Sequence, residues 1–300
     1  MSVLLLVCGT TYVRDVRFAT CDAYESAAES QAITNSDNGT RASKPAVAKV
    51  INHVQITWIR DGRQQHQPQW RARHAERARF PKSERDPQRR LGRRANTPAR
   101  GGLWHLRLAS SNLPLILENQ QPFYANGLSF IHNGDISDDQ GRNIITNRAF
   151  PVDPSIVQST GGRSDSAIFF AVILQYIGFG FALDEAVAQA VRELRKSYPK
   201  SSYNCMIQSQ DQFIALCAAG REVTSKRIVE IYDQYGRGEQ ARDYRVLRYR
   251  ALGGNDDQPK GVVVASSGFD QRAEDGWTRL ENDQMIVSSN RTGEFRVRSI

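Results

Sequence analysis

Residues 167–177, AIFFAVILQYI, constrain this chain more than any other stretch. A helix over so dense an apolar run is hydrophobic on most of its circumference, so it must be covered from more than one side. The signals ahead of it agree. Gly161 and Gly162 supply a loop, Ser164 is a suitable N-cap, and Asp165 places a negative charge in the first turn. A second helix is predicted over residues 184–197, with Val187, Ala190, Val191 and Leu194 on one face and a stop ahead of Pro199.

Around these helices the sequence reads as strands. Residues 2–8 form an apolar opening, Val54, Ile56 and Trp58 alternate, and residues 104–108 and 128–131 follow the same habit. Residues 203–208 and 213–218 read as a hairpin, and further strands are predicted at 245–251, 261–266 and 285–289. Strands, two central helices and strands again indicate an α+β layered fold rather than a βαβ repeat. The hairpin brings Cys205 and Cys217 near each other as packed thiols. All four cysteines lack CxxC or metal-ligand spacing, so no metal site is expected.

The net charge of +8 is local. Residues 60–100 hold 13 Lys/Arg against 4 Asp/Glu, so the rest of the chain is close to neutral. That basic segment has four prolines, few large apolar residues and no sustained period, and is predicted to be a largely flexible insertion at about 62–101 of a single 1–300 domain. It shows no regular aromatic interleaving, so nucleic acid is not the expected partner. No run reaches the roughly 20 apolar residues of a membrane helix. The chain is expected in the cytoplasm without a membrane association.

Four short stretches carry chemistry. The chain opens Met1-Ser2-Val3-Leu4-Leu5-Leu6-Val7-Cys8-Gly9; Trp104-His105-Leu106-Arg107-Leu108-Ala109-Ser110 follows; then Glu118-Asn119 through Pro122-Phe123; then Phe130-Ile131-His132-Asn133-Gly134, followed by Ser164-Asp165-Ser166 ahead of the buried helix. In this order they resemble the class-II (N-terminal-nucleophile) glutamine amidotransferase family. The likeness runs through residues 103–177 and reaches the late strand at 261–266. It implies a four-layer αββα sandwich of two antiparallel sheets flanked by helices, no cofactor, and hydrolysis of the side-chain amide of glutamine or a γ-glutamyl compound. By the same resemblance, residue 2 is the nucleophile and its α-amine the base. Asn133 (side-chain amide) and Gly134 (backbone N–H) form the oxyanion hole, Arg107 pairs with the substrate carboxylate, and Asp165 holds the substrate ammonium. An ammonia-accepting partner protein is implied, since no second catalytic domain is evident.

Two departures stand out. Ser2 occupies the position where the family has cysteine, and the Gly-Trp-Gly-type turn expected before the arginine strand is missing, with only Trp58 followed by Gly62. Serine with an α-amine base is a workable nucleophile. The sequence therefore leaves open a silent descendant, a working serine variant, an engineered Cys→Ser change and a sequence error. The basic stretch likewise reads as a genuine insertion or a misread gene segment. A second class of function follows from the silent reading: a binding or regulatory subunit whose basic segment contacts an acidic partner.

Overall fold

The computed structural model describes residues 3–9, 53–60, 63–66, 70–71, 101–106, 117–220, 226–234, 238–255, 258–259, 261–266 and 271–300. In chain order the strands are β1 Val3–Gly9, β2 His53–Arg60, β3 Arg63–His66, β4 Trp70–Arg71, β5 Gly101–Leu106, β6 Phe123–Ala125 and β7 Leu128–Asn133. Helices α1 Pro154–Ser159, α2 Asp165–Gly178 and α3 Leu183–Ser197 come next, then β8 Asn204–Gln208, β9 Gln212–Cys217 and helix α4 Lys226–Gln234. The chain ends in β10 Leu247–Ala251, β11 Gly254–Asn255, β12 Gln258–Pro259, β13 Gly261–Ala265, β14 Thr278–Leu280, β15 Gln284–Ser289 and β16 Phe295–Ser299.

Two antiparallel sheets carry the fold. The larger runs β14-β10-β13-β1-β5-β2-β3, with β4 also paired to β2; the smaller runs β16-β15-β9-β8-β7-β6. β1 lies between β13 and β5, paired from Leu5↔Ala265 on one side and from Val3↔Leu106 on the other.

The alternation of each strand explains the layering. On the smaller sheet Phe130, Cys205, Ile207, Ile214, Leu216, Met285 and Val287 pack with α2 and α3. Their neighbours Ile131, Met206, Phe213, Ala215, Cys217 and Ile286 pack instead with Leu103, Leu247, Val262, Val264 and Leu280 of the larger sheet. A sheet buried on both faces needs apolar residues in succession, which is why β8 and β9 read as nearly continuous hydrophobic runs.

α2 starts where the sequence placed it: the Ser164 hydroxyl accepts from the Ala167 N–H at 3.3 Å, and the first ten helical residues are all buried. α3 begins one residue before its predicted start and ends at Ser197, with acids in its first turn and bases in its last. The β8–β9 hairpin is present, but the cysteine expectation is corrected. Cys205 lies opposite Leu216, so Cys205 and Cys217 fall on different faces of the sheet, in the two separate cores. Period-two geometry forbids their meeting.

Asn133 is the last residue of β7, registered against Asn204. Within the basic segment, β3 pairs with β2 from Thr57↔His66 to Arg60↔Arg63, and β4 pairs with β2 at His53 and Val54. Residues 62, 67–69 and 72–100 of the segment lie outside the described residues.

Candidate functional site

β7 delivers the site. Its last two residues, His132 and Asn133, are 2% exposed, and the chain leaves the strand at Gly134. What holds this strand end is a buried polar cluster around His132. The ring's Nε2 lies 2.7 Å from the Ser202 carbonyl oxygen, and Nδ1 lies 2.9 Å from the Ser166 hydroxyl. A carbonyl can only accept, so Nε2 carries the hydrogen; in the neutral ring Nδ1 then accepts from Ser166. Burial pushes the His132 pKa down, opposed by the nearby Asp165, the Ser202 carbonyl and Asp135. Gln121 adds two more links: its Oε1 accepts from the His132 backbone N–H at 2.5 Å, and its Nε2 reaches Ser166 Oγ at 3.4 Å. Phe130 and Phe169 flank the imidazole.

The same cluster dictates glycine at 134. A Cβ there would sit 2.1 Å from the Ser202 oxygen and 2.5 Å from His132 Nε2. The peptide packs close against the carbonyl that fixes the imidazole, and any side chain would push that carbonyl away.

Asp165 stands at the first turn of α2 and is 2% exposed. Its Oδ2 accepts from the Ile136 N–H at 3.0 Å and its Oδ1 from the Ser166 N–H at 2.9 Å. An ionised carboxylate has room for further donors beyond these two. Burial pushes its pKa up; His132, those backbone donors and Asp135 are the smaller influences, of which Asp135 alone adds to the rise. A buried carboxylate in this state is one whose ionised form a bound cation would favour.

Asn133 is held from a third direction. Its backbone carbonyl accepts from the Ser202 hydroxyl at 3.1 Å, and its side-chain Oδ1 accepts from the Tyr244 hydroxyl at 3.4 Å. A donor on Oδ1 turns the amide so that Nδ2 faces the other way. Tyr244 is itself carried by the segment that Asn204 anchors, for Asn204 Nδ2 donates to the Arg245 carbonyl at 2.6 Å.

Asn133, Gly134 and Asp165 thus belong to one connected cluster. Ser2 and Arg107 lie outside the described residues. Ser202 and Tyr244 lie outside the stretches that carry the resemblance, and Gln121, Ser166 and His132 lie within them without an assigned role. The position of His132 directly before Asn133 and that of Ser166 directly after Asp165 were the available signal. No group of three or more His, Cys, Asp or Glu is arranged to hold a metal ion among the described residues.

The arrangement of sheets and helices matches solved structures. A glutamine aminotransferase class-II domain protein from Silicibacter pomeroyi superposes with a TM-score of 0.54 at 14% identity, covering 99% of both chains. The chain has the class-II glutamine amidotransferase fold. The glutamine phosphoribosylpyrophosphate amidotransferase of B. subtilis gives a TM-score of 0.52 at 15% identity, covering all of this chain and 49% of the other. An allosteric regulatory enzyme of purine biosynthesis gives 0.50 at 14%, again over 49% of its length. This chain therefore spans about half of those two larger enzymes. No protein-family model and no curated protein matches the sequence.

Proposed function

We propose that the chain hydrolyses the side-chain amide of glutamine or a γ-glutamyl compound, with Ser2 as nucleophile. The observation that carries this reading is the pairing of two half-sites. Asn133, Gly134 and Asp165 are tied into one buried cluster, and β1 pairs with β5 out to Val3↔Leu106, the pair that Ser2 and Arg107 adjoin in sequence. After removal of Met1, the free α-amine takes the proton of the Ser2 hydroxyl as Oγ attacks the amide carbon. Asn133 Nδ2 and the Gly134 N–H stabilise the tetrahedral oxyanion. Collapse expels ammonia, which leaves with the proton from the α-amine. Water then hydrolyses the acyl ester to the free acid and regenerates Ser2. Arg107 pairs bidentately with the substrate α-carboxylate, and Asp165 takes its α-ammonium.

The reading extends to a single domain over 1–300 in a four-layer αββα sandwich, for which α4 is the described helix that could start the outer layer. Ammonia passes to a partner protein in the cytoplasm, and no helix of the described residues is long and apolar enough to cross a membrane. The alternative is a catalytically silent chain that binds or regulates.

Intact mass and a glutaminase assay separate the two. Loss of Met1, slow glutamine turnover by the native chain and markedly faster turnover by Ser2→Cys support hydrolysis. A retained Met1 blocks the amine and ends the Ser2 mechanism. A folded Ser2→Cys chain without turnover leaves the silent reading.

A further inference from the structure

We propose that His132 is a positioning residue for amide hydrolysis, locking the Asn133-Gly134 strand end to the Asp165 helix start through opposed hydrogen bonds to Ser202 and Ser166. The proposal rests on the hydrolysis reading above and assigns a role to residues outside the five predicted site positions.

The geometry is directional throughout. Ser202 O accepts from Nε2, so Nδ1 must accept; the Ser166 hydroxyl then donates to Nδ1 and its oxygen is left to accept from Gln121 Nε2. Gln121 Oε1 meanwhile accepts from the His132 N–H. Each donor in this ring has one acceptor, and reversing any one bond would strand another. Ser166 adjoins Asp165 in sequence, and Asn133 adjoins His132. The imidazole therefore sets the spacing between the group that would polarise the scissile carbonyl and the group that would anchor the far end of the substrate. Ser202 also reaches Asn133 from the other side, its hydroxyl donating to the Asn133 carbonyl. A loosened lock lets Asn133-Gly134 drift from the position where its donors meet a developing oxyanion, and that loss falls on the transition state more than on the bound substrate. His132 touches no reacting atom on this account, because it is enclosed by Ser166, Ser202, Phe130 and Phe169.

The test uses the full chain in its native form and as Ser2→Cys, with Ser166→Ala, His132→Gln, the double variant and Ser166→Thr in each. Steady-state turnover of L-glutamine and thermal unfolding are measured on all. Ser166→Ala and His132→Gln are each expected to lower kcat about ten-fold with a smaller change in KM. The double variant should be no worse than the poorer single, since both remove the same link. Ser166→Thr restores the hydroxyl but adds a methyl group to a buried position; kcat should return towards the parent even though its melting temperature falls. A purely structural role predicts that kcat follows melting temperature across the set, and that result overturns the proposal. So does an unchanged kcat in both singles, or losses that multiply in the double. If neither parent turns glutamine over, the hydrolysis reading falls and takes this proposal with it. Turnover by the parent with unaffected variants overturns this proposal alone.

Discussion

Replacing Gly134 by alanine tests the structure where site and fold are the same atoms. The added Cβ would lie 2.1 Å from the Ser202 oxygen, 2.9 Å from the Ser202 carbonyl carbon and 2.5 Å from His132 Nε2. Ordinary carbon–oxygen contact needs about 3.3 Å, so the Ser202 carbonyl must retreat by about 1 Å. That carbonyl is the acceptor for His132, and the retreat breaks their 2.7 Å hydrogen bond. Overpacking costs about 1–3 kcal/mol, and a stranded buried donor costs about 1–3 kcal/mol more. Gly134 is not among the glycines with positive φ, so alanine gains about 0.4–1 kcal/mol by restricting the unfolded chain. The net is about 3 kcal/mol of destabilisation. At an unfolding entropy of about 2.1 cal/mol/K per residue, a chain of 300 residues should lose about 5 °C in Tm.

Gly127→Ala is the control. Its φ of +75° strains any side chain, but nothing lies within 4 Å of the new Cβ. Strain alone costs about 1 kcal/mol, or about 2 °C on the same scale. Thermal unfolding followed by circular dichroism reads both. A Gly134→Ala chain melting within a degree of the parent, or above Gly127→Ala, would show that the Ser202 carbonyl does not clamp this peptide.

Three other outcomes follow from the same contacts. Tyr244→Phe removes the donor to Asn133 Oδ1; turnover should fall about 2–3-fold at unchanged KM, and a raised KM with unchanged kcat would count against it. Burial holds His132 below its ordinary pKa of 6.5, so the unfolded chain binds a proton that the folded chain excludes. Stability should therefore fall as pH drops below about 6.5, by at most ~1.4 kcal/mol per pH unit. Denaturant titrations of His132→Gln should lack that limb, although Asp165, whose raised pKa favours the folded state as pH falls, opposes it in both chains. Burial also pushes the Cys205 thiol up, and that of Cys217 up to about 11. Peptide mapping after brief alkylation at pH 8 should find both unmodified, and rapid labelling of either would contradict their burial.

How much of this was legible in the sequence depends on whether the signal was local. α2 was readable because Ser164, Asp165 and ten buried residues in succession state start and environment together. α1 carried a local signal too: Asp153 caps it and Pro154 opens it, but a one-and-a-half-turn helix has no period to detect. β16 was missed because Arg296 and Arg298 face Asp184 and Glu185 of α3 across more than a hundred residues, so a paired strand reads as a polar tail. The split of Cys205 and Cys217 between two cores follows from register, which a hairpin's sequence does not state. Asn133, Gly134 and Asp165 were legible only through their resemblance to a family motif. The cluster that organises them joins residues 34 and 70 positions apart, and no spacing rule reaches that far.

The hold of the smaller sheet and α2 on Asn133, Gly134 and Asp165 also bears on the Ser2 reading. The Asn133-Gly134 end belongs to the smaller sheet, whose strands are buried on one face by α2 and α3 and on the other by the larger sheet. Its polar lock draws on Gln121, Ser166 and Ser202. A chain that had lost its nucleophile under no further selection for hydrolysis could replace Gly134 only by disrupting the Ser202 clamp, so the presence of Asn133-Gly134 alone does not separate active from silent descendants. Asp165 is similarly committed, through Ile136 and Ser166, to holding the start of α2. The residues that resemble a catalytic site most closely are thus also those that the fold needs. The decision between hydrolysis and silence therefore rests on the chemistry at Ser2, which Ser2→Cys tests.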